Sequence, residues 1–471
     1  MRPPGASAGA AQTGGAPVVD LWSVTRPGSV IVGYALFVMF GAFAGASGVL
    51  LPAQIADYRV DEATIGITFF ASAGGYVVAS ALTGPLVGRL GTRSALLGAG
   101  VLLVGVWLAT AGRPPFVLLV LLSLAVGFAM GLQEAVLNVY LAARPGATAM
   151  LNRLHAFFGV GALLGPLLAA WLLTFTAWTT VLLVLALCLT PLVAAVAVTY
   201  PARAADPLWV APEAPAQPPA EPPPVPPAAP AAASSVSSAA VPSMPPAVLS
   251  SGPSSVSSSG SSSVSSSGPP AVLAAVLRRP AVLLGAVLLA VYVGLEIAVG
   301  NWGYTYLVEE RSVSGLLAGY TASGYWLGLT TGRFLMSSVT ARLRLTQAGL
   351  MYACMVGTAV AGGLAWAAPG TAGLASAAFV LLGFFLGPVF PTMMAVTPRL
   401  APERLVPTAI GVLSAGGLIG GSLFPWLAGT LLQVVGAWTL LPFAILLALA
   451  QLVLWWRVAR RLAPVGASPV R

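Results

Sequence analysis

The sequence predicts an all-α membrane protein with twelve spanning helices arranged as two related bundles of six. Of its 471 residues, 58% are hydrophobic and only 7% are charged. A water-soluble chain of this length could not bury so much apolar surface. Glycine patterns in the first half of the chain also recur in the second half. Together these features predict two pseudo-symmetric helical bundles within a lipid bilayer.

Twelve mostly apolar stretches are long enough to cross the ~30 Å hydrocarbon core of a bilayer as helices. The first six stretches are Ser29–Leu51, Ile65–Leu86, Ser94–Thr110, Phe116–Tyr140, Leu154–Phe175 and Thr179–Val198. The second six are Ala281–Tyr306, Leu316–Val339, Ala348–Trp366, Ala372–Val396, Thr408–Val434 and Thr439–Trp456. We therefore expect residues 29–200 to form an N-terminal bundle and residues 279–461 a C-terminal bundle.

Residues 201–278 connect the two halves and are rich in proline and alanine, then in serine. Such a segment has too few large apolar side chains to offset the conformational entropy lost on folding. We expect a disordered cytoplasmic linker, and we favour a simple spacer over a regulatory domain. Residues 1–28 and 462–471 are expected to be tails. The N-terminal tail, which we expect to be disordered, lacks the charged, apolar and cleavage regions of a signal peptide.

All 21 basic residues are arginine, and their distribution predicts the topology. Most lie at the ends of apolar stretches that would face the same side as the two termini, whereas the opposite loops contain only Arg59, Arg113 and Arg311. The positive-inside rule thus places both termini in the cytoplasm, with the protein in the plasma or inner membrane. Arg333, inside the eighth stretch, is expected to extend to the membrane surface. Because the arginines are scattered singly, the net charge of +9 does not indicate a nucleic-acid-binding patch.

Repeated glycines link the two halves of the chain. The repeated pairs are Gly127 and Gly131 with Gly383 and Gly387, and, at the same spacing, Gly161 and Gly165 with Gly417 and Gly421; Gly75-Tyr76 resembles Gly324-Tyr325 at a slightly shifted spacing. Glycines four residues apart allow membrane helices to approach closely. Tight packing accounts for most of them, and the fourth, fifth, tenth and eleventh spans could in addition slide against one another. Two related six-helix halves are the construction of an alternating-access carrier.

The loop between the second and third spans reads Gly84-Pro-Leu-Val-Gly-Arg89-Leu-Gly91-Thr-Arg93. This loop resembles the signature loop of the major facilitator superfamily, with Gly88 standing where those proteins normally have an aspartate. The resemblance implies the major facilitator fold and a gating role for Gly84, Arg89, Gly91 and Arg93. The charge relay that the aspartate supplies in the superfamily is not expected here.

Two carboxylates, Glu134 and Glu296, lie inside the fourth and seventh apolar stretches. A charge in hydrocarbon is costly unless it faces a polar cavity or a partner, so each is a candidate functional residue. Asn138 lies one helical turn after Glu134 on the same face. An acid that gains and loses a proton lets a carrier change conformation without moving a net charge across the membrane. The alternative is a structural acid that is bonded to a neighbouring helix. We predict that Glu134 and Glu296 couple transport to protons.

The residues around Glu296 also suggest a solute site. Asn301 and Trp302 follow it, and an aromatic ring beside amide and carboxylate groups is typical of sugar-binding sites. A tryptophan near a helix end equally serves as an anchor at the membrane surface. The remaining candidates for solute binding are Asn138 and Asn152, with Tyr325, Trp326 and Gln54 as weaker ones. His155, one turn after Asn152, could shuttle protons or pair locally.

Gly131–Asn138 and Leu151–Ala162 resemble motifs of the fucose permease and sugar:proton symporter group, and Tyr292–Trp302 resembles a motif of the wider circle of its relatives. The resemblance implies proton-coupled transport of a sugar-like solute. In fucose permease a first-helix aspartate takes part in coupling, but Ser29–Leu51 contains no acid. We therefore expect Glu134 to carry more of the proton coupling.

The predicted function is that of a monomeric secondary active transporter whose partners are a small solute, protons and the lipid bilayer, without nucleic acid. One alternative is a proton-driven efflux carrier for a hydrophobic compound, with a cavity that includes methionines such as Met39, Met336, Met393 and Met394. Another is a non-transporting receptor or scaffold. The sequence contains no nucleotide-binding loop, metal-binding cluster or nucleophile with its base, so we expect neither catalysis nor a cofactor.

Overall fold

The computed structural model describes residues 27–144, 146–202, 269–342, 344–367 and 372–462. Asp61 begins the short helix α2 by accepting a hydrogen bond from the Thr64 amide at 2.7 Å. The helix α3 ends at Gly91, whose φ of 80° lets the chain turn directly into α4. The helices of the N-terminal half are α1 (Pro27–Tyr58), α2 (Glu62–Ile65), α3 (Ile67–Leu90), α4 (Thr92–Ala111), α5 (Phe116–Ala142), α6 (Ala147–Leu172) and α7 (Trp178–Thr199).

The C-terminal half repeats this arrangement with one interruption. Pro388 separates α12 from α13, because proline has no amide hydrogen to continue the helix. The helices of this half are α8 (Pro269–Leu277), α9 (Pro280–Glu309), α10 (Gly315–Arg342), α11 (Gln347–Ala367), α12 (Ala372–Leu386), α13 (Val389–Val396), α14 (Val406–Val435) and α15 (Leu440–Ala459). Single turns of 3₁₀-helix lie at Thr397–Arg399, Glu403–Leu405 and Ala437–Thr439.

Eleven helical segments in the described residues are long and apolar enough to cross a membrane. The eighth predicted span corresponds to α10, which is 28 residues long but includes Arg333 and Arg342 among several polar residues. Its position in the fold matches that of a span, because α10 packs on α12 as α3 packs on α5. The predicted all-α membrane fold is therefore confirmed.

The repeated glycines lie at equivalent helix contacts inside the two bundles. A Cβ atom added at Gly127 of α5 would overlap the Ser72 carbonyl of α3, and one added at Gly383 of α12 would overlap the Tyr325 carbonyl of α10. Similarly, Gly161 brings α6 against α1. These glycines permit close packing within a bundle. The prediction that they let the fourth, fifth, tenth and eleventh spans slide against one another is wrong, since they face other helices.

The contacts also correct the register of one repeat. Gly131, one turn after Gly127, lies against Tyr76, whereas Gly387, one turn after Gly383, lies against Leu329. Leu329 is therefore the packing counterpart of Tyr76. The sequence similarity that aligned Tyr76 with Tyr325 is shifted by one helical turn, because it follows a Gly-Tyr pair and not the glycines that set the helix contacts.

The predicted linker ends earlier than expected. Residues 269–277, assigned to the disordered linker through residue 278, form the helix α8. Its sequence is rich in alanine, valine and leucine, and Val276 is fully buried. Burial of such apolar side chains against α9 and α14 stabilises the helix. The rest of the predicted linker and most of the two tails, residues 203–268, 1–26 and 463–471, lie outside the described residues.

The two bundles meet at the end of the molecule where α1 ends and α3 begins. The Ala63 amide donates a hydrogen bond to the Gln433 side chain at 3.2 Å. Gly66 and Phe70 both pack against Trp426, with the Phe70 and Trp426 ring centroids 5.9 Å apart. We call these five residues the closed end. They join the N-terminal bundle to α14 and cover a cavity between the bundles.

Candidate functional site

A cavity of about 410 Å³ lies between the two bundles, beneath the closed end. Helices α1, α3, α4, α5, α6 and α7 contribute its wall from one side, and α9, α10 and α14 from the other. Its polar lining residues are Ser47, Gln54, Thr68, Ser72, Tyr76, Thr110, Ser123, Glu296, Asn301 and Ser422. Its aromatic lining residues are Phe43, Phe69, Tyr76, Trp107, Phe158 and Trp326. The cavity thus offers hydroxyl and amide groups together with flat apolar surfaces.

Glu296 is the carboxylate in the cavity wall, and it is paired with an arginine. Its Oε1 lies 3.2 Å from Nη2 of Arg333, which comes from the neighbouring helix α10. The Tyr325 hydroxyl donates to the main-chain carbonyl of Glu296 at 2.9 Å. The buried Tyr292 hydroxyl interacts electrostatically with both charged groups. This cluster fixes α9 against α10 with its acid facing the cavity.

Arg333 corrects a prediction from the sequence. We expected its side chain to extend to the membrane surface, but it turns into the protein and is 31% exposed. The Glu296 carboxylate attracts the Arg333 side chain more strongly than the membrane surface does, because an ion pair in a low-dielectric setting is stronger than one in water. The Arg333 Nε atom is buried without a hydrogen-bond partner in the described structure. Part of the guanidinium is therefore not satisfied by Glu296.

Glu134 has a different environment. It lies on α5, its side chain is half-buried, and it does not line the cavity itself. The polar group that interacts with its carboxylate is the Tyr76 hydroxyl of α3. Among the described residues, no arginine forms a salt bridge with Glu134. Since Tyr76 lines the cavity, it stands between this acid and any bound solute.

The other predicted binding residues divide into three groups. Asn301 lines the cavity. Trp302 and Tyr325 are buried beside it but do not line it: the Trp302 indole donates to the Pro425 carbonyl at 2.7 Å, and Tyr325 is bound to α9. Asn138 and Asn152 lie outside the cavity, half-buried and exposed respectively. The Trp302 ring, which we predicted to contact a sugar, thus instead joins two helices.

His155 shows that the space between the bundles is open below the cavity. Its ring centroid is 5.6 Å from that of Phe37 in α1, and it interacts electrostatically with Arg333 in α10. The residue therefore faces the gap between the bundles, yet it remains exposed. The molecule is closed at one end of the cavity and open at the end that contains His155.

The predicted signature loop lies at the open end. Arg89 is exposed in the last turn of α3, and Arg93 is half-buried in the first turn of α4. Gly91 joins the two helices, while a Cβ at Gly84 or Gly88 would meet nothing within 4 Å. The position that normally carries an aspartate therefore faces open space here, and Gly88 leaves Arg89 and Arg93 without that neighbour.

Sequence reasoning missed Arg333 and Tyr76 as members of the site. Each carried a signal, because a charged or hydroxyl group inside an apolar stretch needs a partner. For Arg333 that partner was the acid already noted in α9. The serine and threonine residues of the wall gave no such signal, since in membrane helices they commonly bond to their own backbone, as Ser123 does to the Leu119 carbonyl at 2.9 Å.

Residues 32–344 and 284–471 match the family model of the Major Facilitator Superfamily. The chain belongs to this superfamily. Bypass of stop codon protein 6 from Saccharomyces cerevisiae is 25% identical over 422 residues, covering 86% of this chain and 77% of the yeast protein. A gallate transporter from Pseudomonas putida is 32% identical over 154 residues, covering 31% of this chain and 34% of that protein.

Solved structures of transporters share the fold. The nucleoside transporter NupG superposes with a TM-score of 0.65 at 12% identity, covering 94% of this chain and 99% of NupG. A D-xylose-proton symporter gives 0.62 at 13% identity, covering 90% and 96%. FucP in its outward conformation gives 0.55 at 14% identity, covering 93% and 99%. The family and the fold are those of membrane transporters.

Proposed function

We propose that this superfamily member is a proton-coupled secondary transporter of a small, sugar-like solute. The observation that carries the proposal is the pair of Glu134 and Tyr76: an acid without a salt bridge in the described structure, behind a tyrosine on the cavity wall. A proton can neutralise such an acid without leaving an arginine unpaired. Protonation of Glu134 then accompanies reorientation of the two bundles.

The cavity supports a solute with hydroxyl groups and flat apolar faces. Its volume of about 410 Å³ falls in the ordinary range for small-molecule sites. Asn301 and Gln54 offer amides from opposite bundles, and Trp326 offers an aromatic face. Because groups from both bundles meet one solute, binding affects which arrangement of the bundles is stable. Glu296 contributes to this site as an acceptor whose charge is balanced by Arg333.

A second candidate is proton-driven efflux of a hydrophobic compound. It is favoured by the many apolar side chains of the wall, such as Leu50, Val126 and Leu182. The predicted methionines do not support it, because the described lining contains none: Met39 and Met393 are buried elsewhere in the bundles. The polar groups contributed by both bundles favour the sugar-like solute.

The topology that accompanies this function places the open end at the cytoplasm. Arginine-rich helix ends lie on the side of Arg89 and Arg399, as the positive-inside rule requires of the cytoplasmic side. Both termini then face the cytoplasm, and the protein lies in a plasma or inner membrane. The two bundles of one monomer together form the whole cavity.

Uptake into proteoliposomes tests the function. A panel of radiolabelled neutral sugars is offered with and without an imposed pH gradient, in parallel with a hydrophobic dye. We expect accumulation of at least one sugar that depends on the gradient. Gradient-driven movement of the dye with no movement of any sugar would instead establish the efflux alternative.

Replacing Glu134 tests the coupling. Glu134→Gln keeps the shape of the side chain but cannot exchange a proton, so gradient-driven accumulation should be lost while solute exchange across the membrane continues. The matched control is Glu403→Gln, which removes an exposed acid in the 3₁₀ turn before α14. Undiminished accumulation by Glu134→Gln would exclude this residue from coupling.

A further inference from the structure

A second cavity of about 410 Å³ lies at the end of the C-terminal bundle where α9 begins, and three arginines line it. They are Arg279, Arg399 and Arg461. The remaining lining residues are Pro280, Ala281, Leu400, Ala401 and Pro402. No acidic side chain of the described structure belongs to this lining, so its ionisable groups are all positive. We call it the arginine cavity.

The three arginines come from three separate chain segments at the ends of helices. Arg279 precedes α9, and its carbonyl accepts from the Val282 amide at 3.1 Å. Arg399 ends a 3₁₀ turn between α13 and α14. Arg461 follows α15, and its amide donates to the Val458 carbonyl at 2.9 Å. The fold, and not a run of basic sequence, therefore brings these arginines together.

Their convergence favours an anion. A guanidinium cannot lose its proton in a protein, so mutual repulsion of the three groups is not relieved by titration. In the described structure neither Arg279 nor Arg461 forms a salt bridge with an acidic residue. The start of the 30-residue helix α9 lies in the same wall and adds the positive end of its dipole.

The neighbourhood of Arg461 has side chains that are typical of a membrane surface. Trp456, in the last turn of α15, is 43% exposed. The guanidinium of Arg460 lies 3.7 Å from the centre of its ring. Exposed tryptophans with adjacent cations are typical of the headgroup layer of a membrane. The arginine cavity therefore opens at the level where lipid phosphates are concentrated.

We propose that the arginine cavity binds a phosphate group, supplied by the headgroup of an anionic phospholipid. Phosphate oxygens accept paired hydrogen bonds from a guanidinium, which makes arginine well suited to this ligand. Basic pockets at the cytoplasmic ends of spanning helices are known places for such headgroups. The site is independent of the solute cavity and of the proton-coupling proposal, because none of its residues lines the solute cavity.

Binding of a short-chain fluorescent phosphatidylglycerol to the full-length protein in neutral detergent tests the proposal. The variant Arg279→Gln/Arg399→Gln/Arg461→Gln should bind about tenfold more weakly. The matched control Arg278→Gln/Arg404→Gln/Arg457→Gln removes the same charge from positions that do not line the arginine cavity, and its affinity should change by no more than about twofold because these side chains do not converge on the site. Thermal unfolding of both variants verifies that they are folded.

Competition distinguishes the source of the phosphate. If phosphatidylglycerol is displaced by unlabelled anionic lipid but not by inorganic phosphate, the site takes a lipid headgroup. If inorganic phosphate displaces it at similar concentration, the site takes the phosphate group from solution, and the assignment to a lipid is overturned. Equal weakening in the two triple variants, or equal binding of zwitterionic phosphatidylcholine, would overturn the proposal as a whole, since the arginine cavity would then have no specific role.

Discussion

At the scale of single residues, the two acids of the spanning helices have different partners. Glu296 faces the cavity and is neutralised by Arg333, while Glu134 lies behind Tyr76. Protonation of a salt-bridged acid leaves its cationic partner unpaired, whereas protonation of an acid without a cationic partner breaks no ion pair. In the proposed cycle we therefore expect Glu134 to carry the proton and Glu296 to form part of the solute site.

The Glu296–Arg333 pair should behave as a unit. Glu296→Gln leaves a partly buried guanidinium unpaired, and Arg333→Gln leaves a buried carboxylate unpaired. Breaking a fully buried pair costs roughly 3–5 kcal/mol, and the partial exposure of Arg333 reduces our expectation to about 2 kcal/mol. The double variant Glu296→Gln/Arg333→Gln should be more stable than either single variant. Thermal unfolding in detergent measures the order, and additive losses in the double variant would contradict the pairing.

At the scale of helices, glycine sets the distance between partners. Gly127→Ala should push α5 from α3 because the new methyl group overlaps the Ser72 carbonyl. Overpacking of this kind costs about 1–3 kcal/mol. Gly105→Ala is a matched control in α4, where an added Cβ meets nothing within 4 Å. Unfolding midpoints should fall for Gly127→Ala and for its counterpart Gly383→Ala, but not for Gly105→Ala.

The cap of α2 gives a prediction about pH. Hydrogen bonds from the Thr64 side chain and amide hold the pKa of Asp61 below its usual range. A lowered pKa means that the stabilisation is present at pH values above the ordinary aspartate range and disappears as the pH falls through the lowered value. Asp61 is therefore ionised at neutral pH. We expect Asp61→Ala to loosen the closed end, whereas Asp61→Asn, which can still cap, should not.

The effect on the closed end can be measured with a cross-link. In a background lacking Cys188 and Cys354, the pair Ala63→Cys/Gln433→Cys is treated with a short bifunctional thiol reagent. Asp61→Ala should lower the yield of cross-linked protein, with Asp61→Asn as its control. An equal yield from Asp61→Ala and the parent protein would contradict the assigned role of Asp61.

At the scale of the whole molecule, the proposed alternating-access cycle requires the closed end to separate. Because the Ala63 amide and the Gln433 side chain are 3.2 Å apart, a cross-link between cysteines at these positions should hold the bundles together. We expect solute transport to stop in the cross-linked protein and to continue in either single-cysteine variant treated in the same way. Full transport by the cross-linked protein would show that the closed end does not open during the cycle.

The sequence predicted the fold well because hydropathy and length determine which segments cross a bilayer. It predicted Glu296 and Asn301 at the cavity because a polar group in an apolar helix must face something polar. It failed for Arg333 and Trp302, whose side chains could reach either the membrane surface or a neighbouring helix. The distances from Arg333 to Glu296 and from Trp302 to the Pro425 carbonyl decide between these choices. Such distances depend on how the helices pack and cannot be predicted from the local sequence.

The shared packing of the two halves also bears on their ancestry. If an ancestral gene was duplicated, positions at matching glycine contacts descend from one codon. Tyr76 then corresponds to Leu329, and Glu134, seven residues after Gly127, corresponds to Phe390, seven residues after Gly383. The acid and its tyrosine thus occur in the N-terminal half only, and an aromatic and an aliphatic residue stand at the corresponding positions of the other half. The two halves are therefore chemically unequal at this position, and a chimera built from two N-terminal halves would contain the acid twice.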